Sequence, residues 1–407
     1  MKRLYCLFIL ILYLAISIPS YAQFTINGKH IIYDKQNDTY MACIPEDAFG
    51  KDYEAIILLD IASDWSDLSI DGTQIAYSYT FKQVEGNKLY SIHARKGNKE
   101  INTKITFTFL PLLVLQGSFG YDYAQGSMSL YSSDATEPTI SLIKAKWRGG
   151  STNTADKHKR NYKIKSINFK GKSQDISLLG MREDNNWIMD AGQIDLFRLR
   201  NRIATEIWND FATKPYYASK EPKTKSGVAG KVVEVILNNE YRGIYSLTEA
   251  MDRKELKLKK YDDKNQEFHG QLWKVSSWDK AQFWEIDKDY DNTQETWHAF
   301  ETKYPDIEDV NPTDYSPLYE AIDFVVNSND ETFKKEVGDY FDIPVLIDYQ
   351  LFQETLKPVD NNGKNMYWGI YDVAESQKLT LAIWDLDASV GQDWHCSTPL
   401  HPDYVLP

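Results

Sequence analysis

The chain of 407 residues carries a formal net charge of −13, with 42% hydrophobic and 14% aromatic residues, the balance of a folded globular protein and not of a disordered or fibrous one. The excess of 59 acidic over 46 basic residues excludes a protein whose main task is coating nucleic acid or anionic lipid, because both require cationic surface. At roughly 100–200 residues per domain, the length predicts two or three domains.

Met1-Lys2-Arg3 is a short basic start, Leu4 to Ile18 a nearly unbroken apolar run, and Ser20-Tyr21-Ala22 a small-x-small ending. This is the pattern of a cleavable secretory signal over residues 1–22. The apolar run is too short to span a bilayer comfortably, and no second hydrophobic segment follows. Export is therefore expected, to the periplasm, cell surface or medium, with no membrane span. Cys6 would leave with the signal. Cys43 and Cys396 stand at opposite ends of the remainder, either as a disulfide, which export permits, or as two buried thiols.

A β-rich module is predicted over 23–133. Apolar and polar residues alternate in Ile75–Phe81 and Ile105–Phe109, and Asp71-Gly72, Glu85-Gly86 and Lys96-Gly97 mark turns, the signature of a small sandwich of short strands. The Gly-, Ser- and Tyr-rich stretch from Gly117 to Pro138 predicts a connector. From residue 134 to 407 the composition changes to an α+β pattern. Ile140–Trp147 and Tyr162–Ile167 read as strands around a polar loop. Asp195 is placed to cap a helix with Leu196, Leu199, Ile203, Ile207 and Phe211 on its inner face. Val233–Leu237 and Tyr241–Leu247 read as a hairpin across Asn238-Asn239-Glu240. Helices follow at about Leu318–Asn327 and Val345–Thr355, then a terminal pair of strands.

Three constellations carry chemistry. The strand Leu379–Trp384 delivers Asp385-Leu386-Asp387 at its mouth, where two acids one residue apart suit a hard divalent cation that keeps water or phosphate ligands; a turn cap and a solvated acid would leave the same trace. The loop Val359–Asn365 sets Asp360 five residues before Asn365, the spacing of a phosphoryl-transfer catalytic loop, although Asp-Asn-Asn-Gly is also a good turn. Arg148-Gly149-Gly150-Ser151-Thr152 offers a guanidinium and free backbone N–H groups, with Lys157, Lys159, Arg160, Lys163 and Lys165 close behind. Such a cluster suits either phosphate or a solvated basic strand.

These strings, together with Asn161–Lys165, Leu199-Arg200-Asn201, Leu237–Tyr245, Glu249, Lys364-Asn365 and Trp384–Asp387, resemble in order the successive blocks of the CotH kinase family, atypical kinases similar to spore-coat protein H. The resemblance spans about Leu142 to Trp394 and implies a two-lobed kinase-like fold that uses ATP and Mg²⁺ or Mn²⁺ to phosphorylate protein hydroxyls. It implies that Arg148, Ser151 and Lys159 meet the ATP phosphates and that Glu249 orients a lysine or the metal. Asp360 would be the catalytic acid, Asn365, Asp385 and Asp387 would hold the metal, and Arg200 would buttress the site. Two departures stand out: Arg-Gly-Gly-Ser replaces the commoner Arg-Gly-Asn-Ser, and the last motif lies close to Pro407, where the family's domain continues with helices. Two rival expectations are a secreted adhesion or structural protein with the domain as a non-catalytic scaffold, and a metal-dependent glycosyltransferase. The acceptor at the protein or cell-surface level stays unnamed.

Overall fold

The computed structural model describes residues 24–59, 66–154, 156–278, 283–393 and 399; the expected signal and Cys396 lie outside them. The chain divides into two compact units. One runs to Gly117 and includes Ser127–Ile140 and Glu234–Gly243; the other holds Ser118–Gly126, Ser141–Val233 and the chain from Ile244 onward. No helix among the described residues is long and apolar enough to cross a membrane.

In the first unit, period-two alternation builds strands with one dry side. Along Tyr53–Leu59, Ala55, Ile57 and Leu59 are buried while Glu54, Ile56 and Leu58 face out, as the pleat requires. A four-stranded sheet takes the order Lys29–His30, Phe24–Ile26, Tyr53–Leu59, Ser78–Phe81. A six-stranded sheet takes the order Ile32–Asp34, Thr39–Cys43, Lys99–Thr108, Tyr90–Lys96, Ser66–Ile70, Thr73–Gln74. Both contribute to one core, in which Phe81 stands edge-on to Tyr90 and Phe107 at 4.8 Å each, a geometry favoured by the ring quadrupoles. Cys43 is a free, half-buried thiol. The expected connector at Gly117–Pro138 is wrong in its middle: Ala124–Tyr131 is a strand. Only Met128 and Leu130 turn inward there, too few to show through the surrounding Gly and Ser.

From Thr139 onward the chain is mixed α+β and strand-rich, and nine of its strands are numbered β1 to β9. β1 (Thr139–Arg148), β2 (Asn161–Ile167), β3 (Asn186–Asp190), β4 (Gly230–Leu237) and β5 (Glu240–Glu249) come first; β1 pairs with β2, β2 with β3 and β3 with β5, all antiparallel. Asn238 and Asn239, both left-handed at φ 53° and 64°, make the tight β4–β5 turn that the sequence predicts. β6 (Gln271–Val275), β7 (Phe300–Tyr304), β8 (Met366–Asp372) and β9 (Ser376–Ile383) join the two-residue strand Thr296–Trp297 in the order Thr296–Trp297, β7, β6, β8, β9. The helices are α1 (Arg200–Phe211), α2 (Ser316–Asn327), α3 (Asp330–Tyr340) and α4 (Ile343–Leu356). Trp208 of α1 meets Phe352 of α4 at 5.4 Å in a core shared with Trp273, Phe300 and Leu381.

Two helix expectations are corrected. α1 begins at Arg200, because Arg198 is left-handed at φ 62° and breaks the helical path; the Asp195 carboxylate still accepts the Arg200 N–H at 2.9 Å. Its inner face is also not the predicted one: Leu196, Ile203, Ile207 and Phe211 are exposed, while Arg202, Ala204 and Trp208 are buried. Trp208 decides the rotation, since its indole N–H donates to Ser226 at 3.0 Å and its ring fills the core. α3, not expected from the sequence, has no fully buried residue; Phe333, Val337 and Tyr340 pack half-buried against the core, with Tyr340 stacked on Phe324 at 4.1 Å, and its Asn329 cap accepts from the Thr332 N–H at 3.0 Å.

Candidate active site

A cleft of about 710 Å³ opens in the second unit, within the usual size of a small-molecule site. Its lining combines the apolar Ile188, Val228, Val359 and Ile383 with the acids Asp190, Asp360, Asp385 and Asp387 and the cations Arg148, Lys157 and Lys364. Deep in it, the buried Ser246 hydroxyl has no hydrogen-bond partner among the described residues, an opening for a polar ligand group.

β1 ends on Arg148, whose guanidinium lies 5.5 Å from the centre of the Trp384 ring. Gly149 has φ +108°, and a Cβ there would come within 2.2 Å of Thr152 Oγ1, so only glycine permits the tight turn that follows. Ser151 sits in that turn, and its side chain lies outside the described part. Asn161 closes the loop, donating to Thr152 Oγ1 at 3.2 Å and accepting from the Ala191 N–H at 2.6 Å.

The acids come from three strand or loop ends. Asp360 is held by three groups: Trp278 Nε1 at 3.2 Å and Lys364 Nζ at 3.1 Å on Oδ1, and Asn365 Nδ2 at 2.8 Å on Oδ2 and at 3.3 Å on the backbone oxygen. Asn361, fully buried, donates from Nδ2 to the carbonyls of Asn365 and Trp384 at 3.1 and 2.6 Å, so one amide ties the Asp360 loop to the end of β9. Asn365 and Asp385 are both left-handed, at φ 58° and 61°. At the end of β3, Asp190 accepts from Asn201 Nδ2 at 2.9 Å, and Asn201 Oδ1 accepts from the Leu386 N–H at 3.1 Å. Asn201 thereby bridges the third acid to the Asp385–Asp387 turn.

Crowding shows in the electrostatics. The Asp385 carboxyl is raised by the protein mass around it and by Asp190 and Asp360, against the pull of Arg148 and Lys274. Its residue is open to the cleft, so water reaches it and tempers the burial contribution. Asp387, more enclosed, is raised well above the usual carboxylate range by burial and then by Asp385, Asp190 and Asp360. Among the described residues, no three His, Cys, Asp or Glu side chains converge as a ready-made metal cage. The donor set is still all hard oxygen, and a divalent cation of the magnesium type takes one or two carboxylates and completes its shell with phosphate and water. The residues fit such an ion together with a nucleotide phosphate.

Arg148, Asp360, Asp385 and Asp387 of the expected site thus meet on one cleft, and Asn365 is buried behind Asp360. Three others, Lys159, Glu249 and Arg200, stand outside the cleft lining. The Lys159 ammonium donates to the carbonyls of Ala191, at 3.1 Å, and Ile244, and lies over the Tyr245 ring at 4.1 Å; burial, with Arg198 nearby, lowers it to about 8. It is not part of the cleft lining. Glu249 is buried at the end of β5, accepting the Arg182 N–H at 2.6 Å beside Glu255. Arg200 pairs with Asp195 and lies over Phe197 at 4.8 Å. Asp190 and Trp278 belong to none of the strings singled out in the sequence, and Asn201 stands in one of them without a role of its own. Asp190 ends an apolar strand run in the same way as Asp385, and that placement was the available signal.

No curated protein matches the chain. The family model described as CotH kinase protein matches residues 145–404, more than half of the sequence and the whole of the cleft described above, and the chain belongs to the CotH kinase family.

Proposed function

We propose that the chain is an exported, two-lobed atypical kinase that transfers the γ-phosphoryl group of ATP to a protein hydroxyl with Mg²⁺ or Mn²⁺. The observation that carries this reading is the convergence on one cleft of Asp360, Asp385, Asp387 and Arg148. Residues 1–22 act as the export signal, the β-rich module precedes the kinase domain, and Arg148, with the loop that holds Ser151, cradles phosphate. Asp385 and Asp387, with the side-chain carbonyl of Asn365, hold the divalent cation. When bound, the nucleotide would supply the electrophilic phosphoryl group and the ion would neutralise charge among Asp190, Asp360, Asp385 and Asp387. Asp360 orients the acceptor: Oδ1 already has two partners, Trp278 and Lys364, whereas Oδ2 has only Asn365, leaving a lone pair for the acceptor's proton. The apolar lining residues take the base, and the unpartnered Ser246 hydroxyl gives it a polar contact.

Asp385→Asn and Asp360→Asn should each lower label transfer from ATP by on the order of 10²-fold or more while the protein stays folded. ATP with Mn²⁺ at about 100 times its dissociation constant should stabilise the parent by roughly 2.7 kcal/mol. Undiminished transfer in either variant removes that residue from its role, and a flat thermal response supports the non-catalytic scaffold. A nucleotide-sugar that stabilises better than ATP supports the glycosyltransferase.

A further inference from the structure

β1 and β2 set lysine against lysine. Lys144 pairs with Lys165 and Lys146 with Lys163 in the antiparallel register, on the face opposite the buried Ile143, Ala145 and Ile164. Like charges directly across a ladder destabilise it. Among the described residues, none of the four has an ion pair; Lys146 and Lys165 instead lie over one ring, Tyr123, at 4.9 and 5.1 Å. Arg148 continues the row at the cleft, and Lys163, lowered first by burial, also feels Lys165, Arg148, Lys146 and Lys303. In a chain of net charge −13, this is a concentrated, unneutralised positive strip.

The strip extends beyond what the cleft requires. None of the four lysines lines the cleft, and Lys144 stands roughly 13 Å from Arg148 at about 3.3 Å per residue. Lysines at every second position match an extended chain with an acid at every second position, because both strands repeat at the same spacing. The aromatic ring beneath two ammonium groups keeps them on this face without neutralising them.

We propose that the paired-lysine face of β1 and β2 docks an extended Asp- and Glu-rich segment of the acceptor polypeptide and leads its target hydroxyl along the row to Asp360. The reading rests on the kinase assignment for its purpose, but the docking itself needs no ATP. The test is fluorescence anisotropy with the full chain and two fluorescein-labelled peptides, one Asp/Glu-rich with a single serine and one with Asn and Gln in place of the acids. The acidic peptide should bind at least about tenfold tighter, with affinity falling as salt rises. The combined variant Lys144→Gln, Lys146→Gln, Lys163→Gln, Lys165→Gln should lose about tenfold in affinity for it, melt no lower than the parent because repulsion is removed, and keep the ATP–Mn²⁺ thermal shift. Equal binding of the two peptides, or unchanged binding by the variant, overturns the proposal. Preference for heparin over the acidic peptide, lost in the same variant, overturns it in favour of a polysaccharide polyanion. Peptide binding without an ATP shift leaves the dock standing and defeats the kinase reading; an ATP shift without peptide binding does the reverse.

Discussion

Replacing Asn361 by alanine tests whether one buried amide holds the acid-bearing loops together. The side chain is fully buried and its Nδ2 serves two carbonyls, those of Asn365 and Trp384. Each carbonyl left without this donor costs about 1–3 kcal/mol, so the two together lose roughly 2–6 kcal/mol. Against this, Asn361 Oδ1 is itself buried without a partner, and deleting it returns about 1–2 kcal/mol. The net loss is about 1–4 kcal/mol, and at roughly 2–4 °C per kcal/mol for a unit of this size the melting temperature falls by several degrees. Tryptophan fluorescence on heating or in urea follows the second unit, where Trp187, Trp208 and Trp273 are buried. Label transfer should fall further than stability does, since Asp360 and Asp385 lose their fixed spacing. A variant within about 0.5 kcal/mol of the parent, with unchanged transfer, would refute the reasoning.

Two further outcomes follow from buried charge. Arg182 is ion-paired with Asp184, Asp252 and Glu255, of which Asp184 and Glu255 are almost fully enclosed; Arg182→Met should destabilise by about 3–5 kcal/mol, and adding Glu255→Gln should recover part of that in urea titrations, whereas no recovery would show that lost packing dominates. Lys159 has a folded pKa of about 8, below its unfolded value of 10.5, so the unfolded chain binds more protons between these values and stability rises with pH across the window. The parent should therefore gain on Lys159→Met in melting temperature from about pH 8 to about pH 10.5, and a constant difference would mean that the ammonium is not desolvated.

Strands and the β4–β5 hairpin were legible because alternation and an Asn-Asn turn are local signals. β1 and β2 are predicted within a residue or two, since Ile143, Ala145 and Ile164 alternate with lysines along them. α1 was misread because apolar periodicity marks an amphipathic face but not which face the fold buries; one tryptophan with a polar anchor at Ser226 outweighed four aliphatic and aromatic positions. α3 shows only three apolar positions, Phe333, Val337 and Tyr340, which pack half-buried against the core, a short period among eight other residues that are easily read as a polar loop. In the site, Asp360, Asp385 and Asp387 were legible because strand-end acids and loop spacing lie within a few residues of each other. Asp190 and Asn201 were not, because their role depends on a meeting with Leu386, which is 185 residues away from Asn201 in the chain.

The left-handed backbone at Asp385 reaches beyond geometry. Aspartate at φ 61° occupies a conformation that asparagine tolerates at least as well, and its carboxylate is disfavoured by burial and then by Asp190 and Asp360. Arg148 and Lys274 pull the other way, so the carboxylate stands in a balance between burial with two acids on one side and two cations on the other. Any further positive charge entering the cleft would tip that balance toward the ionised form.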